Sequence, residues 1–387
     1  MAFISLQENH ALKPLIWVSE NGSDACLLNA LAQVVAHGAQ SLMILACGAN
    51  NHSAPNLLNA LKACPVPLCG GIFPSVFYAD TKLDIGFIVV GFPFLISVAC
   101  YPLASPSTNN PNENHVLDGD AIHHSLDLLI FIDAMANATE TFINRFYETI
   151  GGGIDVIGGG AGSLDFIQKP CIFSRTGLIM DAALVVQLPI SMQCAVEHGW
   201  EVLSGPYLVT EAKGARVKTI NYLPAFEVYK SLIEDITNYR FVGNNFFEIS
   251  QNFPLGILGI NDDILVRDPI QTLNDELFCV GSVPVNSMIY ILSGNPEHII
   301  SAAENAGFLA GKNSLEGQQG SINLTIVFDC VSRVLYLGKN FPEEMAAIQR
   351  GVGSRRAIVG ALSIGEIANT YRGTINLLNK SIVIGNL

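Results

Sequence analysis

His198 is the side chain of this sequence best suited to chemistry. It stands in Val196-Glu197-His198-Gly199-Trp200, inside an otherwise apolar stretch read as strand. An imidazole beside glycine and tryptophan can lie over a flat apolar ligand and bind its metal, or can serve as a satisfied structural histidine. The other histidines offer less. His10, His37 and His298 fall at helix edges or in the N-terminal tail, His52 follows Asn50-Asn51 after a strand, and His115 lies in an asparagine-rich loop. His123-His124 is a pair at the entrance to a strand, where neighbouring side chains point to opposite faces and cannot share one metal.

Glycine supplies the next signal, in Gly151-Gly152-Gly153 and in Gly158-Gly159-Gly160-Ala161-Gly162. Such runs allow sharp turns and close sheet packing, or let backbone N–H groups converge on a ligand, so Gly159 and Gly160 are candidate lining residues. No helix clearly follows the second run and no Lys-Ser/Thr pair ends it, which excludes a dinucleotide fingerprint and a phosphate loop. Arg267-Asp268 before Pro269, and Asp329 before Arg333 across an expected turn, read as ion pairs or turn anchors. Their minority reading is a guanidinium fork for a ligand carboxylate. The sequence contains neither Gly-x-Ser-x-Gly at a strand-to-helix turn nor His-Glu-x-x-His, and the expectation is a protein that is not an enzyme.

The 387 residues carry 34 acidic and 20 basic side chains, a formal charge of -14, with 50% hydrophobic and 14% charged residues. That balance gives no basic footprint for nucleic acid and suggests extensive buried sheet. The apolar runs break before the roughly 18 residues a membrane span requires. The opening MAFISLQENHALKP has no basic n-region, long apolar stretch or small-residue cleavage site, so the expected setting is cytoplasmic, without membrane insertion. Nine cysteines without a CxxC pair sit mostly in apolar segments and read as free, buried thiols.

The elements that must position these groups follow from periodicity. Apolar spacing predicts helices over 24–36, 55–64, 138–150, 225–234, 298–309 and 343–348. Apolar runs predict buried strands at 41–46, 68–73, 85–90 and 126–132, then a meander over 173–188, 192–203, 218–221 and 255–260, with later strands at 288–292, 322–328 and 334–337. The fold class is α/β (mixed α+β), two modules with largely buried mixed sheets flanked by helices. Residues 1–220 and 221–387 meet in the glycine- and proline-bearing stretch 204–224. No internal repeat is visible by eye.

Six strings in order resemble the FIST family, a sensory module of bacterial signalling proteins. They are GGGAGSLDF (158–166), HGWEVLSGPYLVT (198–210), LPAFEVYKSL (223–232), LVRDP (265–269), FDCVSRVLYLG (328–338) and GALSIGEI (360–367), and NLLNKSIVI (376–384) fits the closing strand. The resemblance implies a FIST N portion over roughly 20–220 and a FIST C portion over roughly 221–370. Members of this size without an attached output module look like nitric-oxide-sensing haem proteins (NosP-like), which regulate a histidine kinase in trans. By that resemblance the cofactor is haem b, His198 holds the iron, and Trp200, Phe226 and Tyr229 form walls, with His124 and then a cysteine thiolate in reserve. A rival reading within the family is a small-molecule sensor for a metabolite such as an amino acid, its carboxylate met by Arg267 or Arg333. A third is an interaction scaffold that pairs with a kinase or with a second copy of itself as a homodimer.

Overall fold

The computed structural model describes residues 13–103, 126–259, 264–312, 321–369 and 373–387, together with the backbone of 2–4. The expected α/β class holds: helices flank four sheets that combine parallel and antiparallel pairs or are wholly antiparallel.

Three of the sheets are built by one motif used three times. The motif is a buried strand, a helix, a parallel strand, a crossing strand that forms a hairpin, and a returning strand antiparallel to the first. Its first instance runs Ser41–Cys47, helix Ala54–Ala63, Leu68–Phe73, Ser75–Tyr78, Thr81–Leu83, Phe87–Phe92. The second runs Leu128–Asp133, helix Thr139–Ile150, Val156–Ala161, Ile172–Ser174, Gly177–Ile179, Ala182–Gln187. The third runs Leu324–Cys330, helices Val331–Leu337 and Phe341–Val352, Ala357–Ser363, Glu366–Asn369, Ile375–Leu378, Ile382–Asn386. In each, the first strand pairs in parallel with the strand after the helix.

The crossing strands leave their own sheet. Ser75–Tyr78 of the first repeat pairs with Ala357–Ser363 of the third. Ile172–Ser174 of the second pairs with Leu68–Phe73 of the first, and Glu366–Asn369 of the third pairs with Val156–Ala161 of the second. The exchange is cyclic. Phe73, Phe131 and Phe328, one ring from each sheet, meet in the shared core with centroids 6.4, 6.2 and 5.8 Å apart. Burying each ring contributes about 1.5–3 kcal/mol.

The fourth sheet precedes the third repeat, between strand Gln193–Glu197, which pairs with that repeat's Ile382–Asn386, and helix Pro296–Lys312, which packs on its helix Phe341–Val352. Six antiparallel strands, Glu201–Lys213, Arg216–Ile220, Leu255–Leu258, Ile264–Leu273, Glu276–Val280 and Met288–Ser293, close on themselves because the first pairs with both the second and the last. Closure removes exposed sheet edges. Helix Ala225–Ile236 seals this barrel, with Ala225, Tyr229 and Ile233 buried at a four-residue spacing that puts them on one face. The expected module boundary near 220 falls inside the barrel, between Arg216–Ile220 and that helix.

Most expected elements form within a few residues of their predicted bounds, and two differ. The run 192–203 is interrupted at His198-Gly199-Trp200, where Gly199 takes φ +74° and a side chain would strike the backbone of His298 and Ile299. The expected strand at 334–337 is instead the helix Val331–Leu337, which sets Arg333 within ion-pair reach of Asp329.

Candidate functional site

Four of the six strings that resemble the FIST family, together with the closing one, converge on a buried polar cluster at the carboxyl ends of the third repeat's parallel strands. Arg333, fully buried, ion-pairs with Asp329 at 3.2 Å and hydrogen-bonds Glu344 through two nitrogens. The same guanidinium donates to the carbonyls of His198 at 2.6 Å, Ile299 at 2.9 Å and Lys380 at 3.3 Å. Lys380, also fully buried, donates to the Gln251 carbonyl at 3.0 Å and pairs with Asp268 at 3.2 Å. Four carboxyl groups, Asp268, Asp329, Glu344 and Glu366, thus face two cations. Burial disfavours the surplus charge and raises all four, Glu366 to about 8.

Beside this cluster lies a cavity of about 840 Å3, within the range of small-molecule sites. The barrel strand supplies Ile264, Leu265 and Val266, and the second repeat supplies Gly153, Ile154 and Asp155. Residues 194–198, the helix end Leu309 and Lys312, and Asn369, Thr374, Asn376, Leu378 and Ser381 of the third repeat complete the wall. Burial and the nearby Asp127 raise Asp155, which the Cys194 thiol hydrogen-bonds. Burial also raises Glu197, offset by the Asn305 amide at 2.9 Å. It pushes the Cys194 thiol far above its usual value as well, so that sulfur is a thiol rather than a nucleophilic thiolate.

His198 lines the cavity, and its ring state follows from one bond. Nδ1 lies 2.9 Å from the Trp200 backbone nitrogen, which can only donate, so Nδ1 accepts and the proton of the neutral ring sits on Nε2. Burial, then the neighbouring Arg333 charge, pushes the imidazole down to about 4, keeping it neutral. Iron bound at Nε2 requires the opposite tautomer, with a proton on Nδ1 facing the Trp200 N–H.

The other expected site residues are mostly elsewhere. Trp200 is buried against Tyr336, rings 5.0 Å apart, outside the lining. Phe226 packs on Phe241 and Phe246 at 5.5 and 5.7 Å, and Tyr229 donates its hydroxyl to the Phe253 carbonyl at 2.6 Å, both in the barrel core. Gly159 and Gly160 are not ligand-lining: a side chain on Gly159 would lie 2.5 Å from the Phe328 ring, and one on Gly160 would overlap the Ile364 carbonyl. The arginines are not free forks. Arg333 is committed as above, and Arg267 donates to the carbonyls of Ser282 at 2.9 Å and of Val266 and Leu377 at 3.1 Å. His10, His115, His123 and His124 lie outside the described residues. Among the described residues, those around the cavity therefore do not fit haem.

Asp155, Cys194, Asn376, Ser381 and Lys380, the partner of Asp268, were not legible as site residues. Asn379-Lys380-Ser381, three polar residues inside an apolar closing stretch, was their one local signal.

The family model described as the FIST N domain matches residues 41–222, and that described as the FIST C domain matches 225–369. The chain belongs to the FIST family. FIST domains are sensor domains of signal transduction. Both FIST matches contribute to the three-repeat body and to the barrel, and the cavity lies where they meet. A search of the curated proteins finds no match to this FIST chain. Among its described residues, no helix is long and apolar enough to cross a membrane.

Proposed function

We propose that this FIST protein senses a small polar metabolite of about amino-acid size, binding it in the 840 Å3 cavity without converting it. The carrying observation is the cavity wall. It joins apolar surface from the barrel to fixed polar groups, Asp155, His198 Nε2–H, Thr374, Asn376 and Ser381, which can orient a ligand by hydrogen bonds. Lys312 at its edge replaces Arg267 and Arg333 as the cation available to a ligand carboxylate. Binding without turnover is supported by a neutral thiol at Cys194 and a His198 whose Nδ1 is already engaged. A histidine kinase in trans is the partner that the family resemblance implies.

Haem b with nitric oxide as signal is the reading that the His198 tautomer opposes. A thermal-shift screen of amino acids and related metabolites, run beside an absorption spectrum after haemin addition, tests the choice. A metabolite at 100 times its Kd should stabilise the protein by about 2.7 kcal/mol, and Asp155→Asn or Asn376→Ala should reduce the effect. A Soret band lost in His198→Ala would reinstate haem. Neither response would leave the scaffold.

A further inference from the structure

We infer that Glu140 is the catch of a latch that closes the cavity by holding the barrel against the second repeat. Glu140 is on the first turn of helix Thr139–Ile150, in the same repeat as the cavity residues Gly153, Ile154 and Asp155. Its carboxylate reaches across to the barrel, accepting from the Ser282 backbone N–H at 2.8 Å and facing the Arg267 guanidinium at 3.4 Å. Arg267 stands directly behind the wall. It follows the lining residue Val266, and it donates to the carbonyl of Leu377, which lies between the lining residues Asn376 and Leu378. One guanidinium therefore ties together the barrel wall, the third-repeat wall and the second repeat. Gly281 makes room for it: at φ +85°, a side chain there would come within 3.0 Å of Arg267 Nε.

Opening this contact frees the barrel side of the cavity to move away from Asp155 and Cys194. Glu140 is 27% exposed at its side chain, so the state of the latch is presented at the surface, where a partner can read it. That output role rests on the sensor reading; the latch itself rests on the geometry alone.

The experiment needs no ligand. Cys194, half-buried on the cavity wall, reports opening through its alkylation by iodoacetamide at pH 8, followed peptide by peptide with mass spectrometry. The fully interior Cys47 and Cys69 report global unfolding in the same sample. Glu140→Gln weakens a charged hydrogen bond, so the Cys194 rate should rise about ten-fold, with faster amide exchange at Ser282 and unchanged Cys47 and Cys69. Gly281→Ala, which displaces Arg267 without touching the carboxylate, should do the same. The latch is overturned if the Cys194 rate stays at the parent value in both variants, or if it rises only in step with Cys69. A failed metabolite screen would remove the sensor reading and leave this result standing.

Discussion

The Lys380 ammonium lies 4.8 Å from the centroid of the Trp200 indole, and the indole Nε1–H donates back to the Lys380 carbonyl oxygen at 3.1 Å. The pair joins a residue just before the barrel to the turn that precedes the last strand of the third repeat, and Asp268 of the barrel completes it. A buried cation held by a ring face, a carbonyl and a carboxylate is stable only while all three remain.

Lys380→Met should therefore destabilise the protein by about 3–5 kcal/mol, because Asp268 is left buried and uncompensated. Lys380→Met combined with Asp268→Asn should recover much of that loss. Urea unfolding of the four species in a double-mutant cycle gives the coupling, and additive losses would contradict the pairing.

Stability should fall as pH rises from about 6.5 to 8. Glu366, raised from 4.5 to about 8, holds its proton in the folded state and loses it in the unfolded state, so its contribution declines from pH 4.5 to 8. His198, lowered from 6.5 to about 4, works in the opposite sense: the unfolded state takes up the proton first, and stability rises from pH 4 to 6.5. The two slopes oppose each other between 4.5 and 6.5, and above 6.5 His198 no longer offsets the Glu366 slope, which is up to about 1.4 kcal/mol per pH unit and has the same sign as that of the other raised carboxyls. Glu366→Gln should flatten the upper limb in denaturant melts at pH 6.5, 7.25 and 8.

Gly159→Ala should cost about 1–3 kcal/mol through overpacking against Phe328. Adding Phe328→Leu should relieve part of the clash. Metabolite binding should be unaffected once stability is allowed for, since Gly159 lies outside the cavity; a selective loss of binding would return this glycine to the site.

Arg333→Lys should destabilise by several kcal/mol despite keeping the charge, because an ammonium cannot serve Glu344 and three carbonyls from one plane. Loss of the Arg333 bond to the His198 carbonyl should loosen the cavity wall, readable as faster amide exchange over 197–200.

Local elements were legible where local physics decides them. Helix Asp24–Ala36 has Ser23 as its cap, accepting from the Cys26 N–H, and Leu27, Leu31 and Val34 on one buried face. Strand Ser41–Cys47 is apolar throughout because both faces are covered. Val331–Leu337 misled because its β-branched and aromatic residues suit a strand, whereas helical geometry is demanded by Arg333 reaching Asp329 four residues back and Glu344 beyond. The repeat was hidden because its copies share a pairing pattern rather than residues, and the barrel separates the third from the other two. His198 was legible as a wall residue, but its tautomer depends on the Trp200 N–H, which only the turn at Gly199 brings to Nδ1.

The cyclic exchange of hairpins makes the body an interlocked ring. Removing any one segment would strip a strand from the sheet ahead and expose the edge of the sheet behind, so a fragment ending near residue 222 would lack one neighbour each of Val156–Ala161 and Ser75–Tyr78. Such a ring has no natural place to begin fraying. The barrel, whose entry and exit residues Glu201 and Ser293 are themselves paired, is moored to that ring along one seam, where Lys380, Leu377 and Glu140 meet Asp268, Arg267 and Ser282.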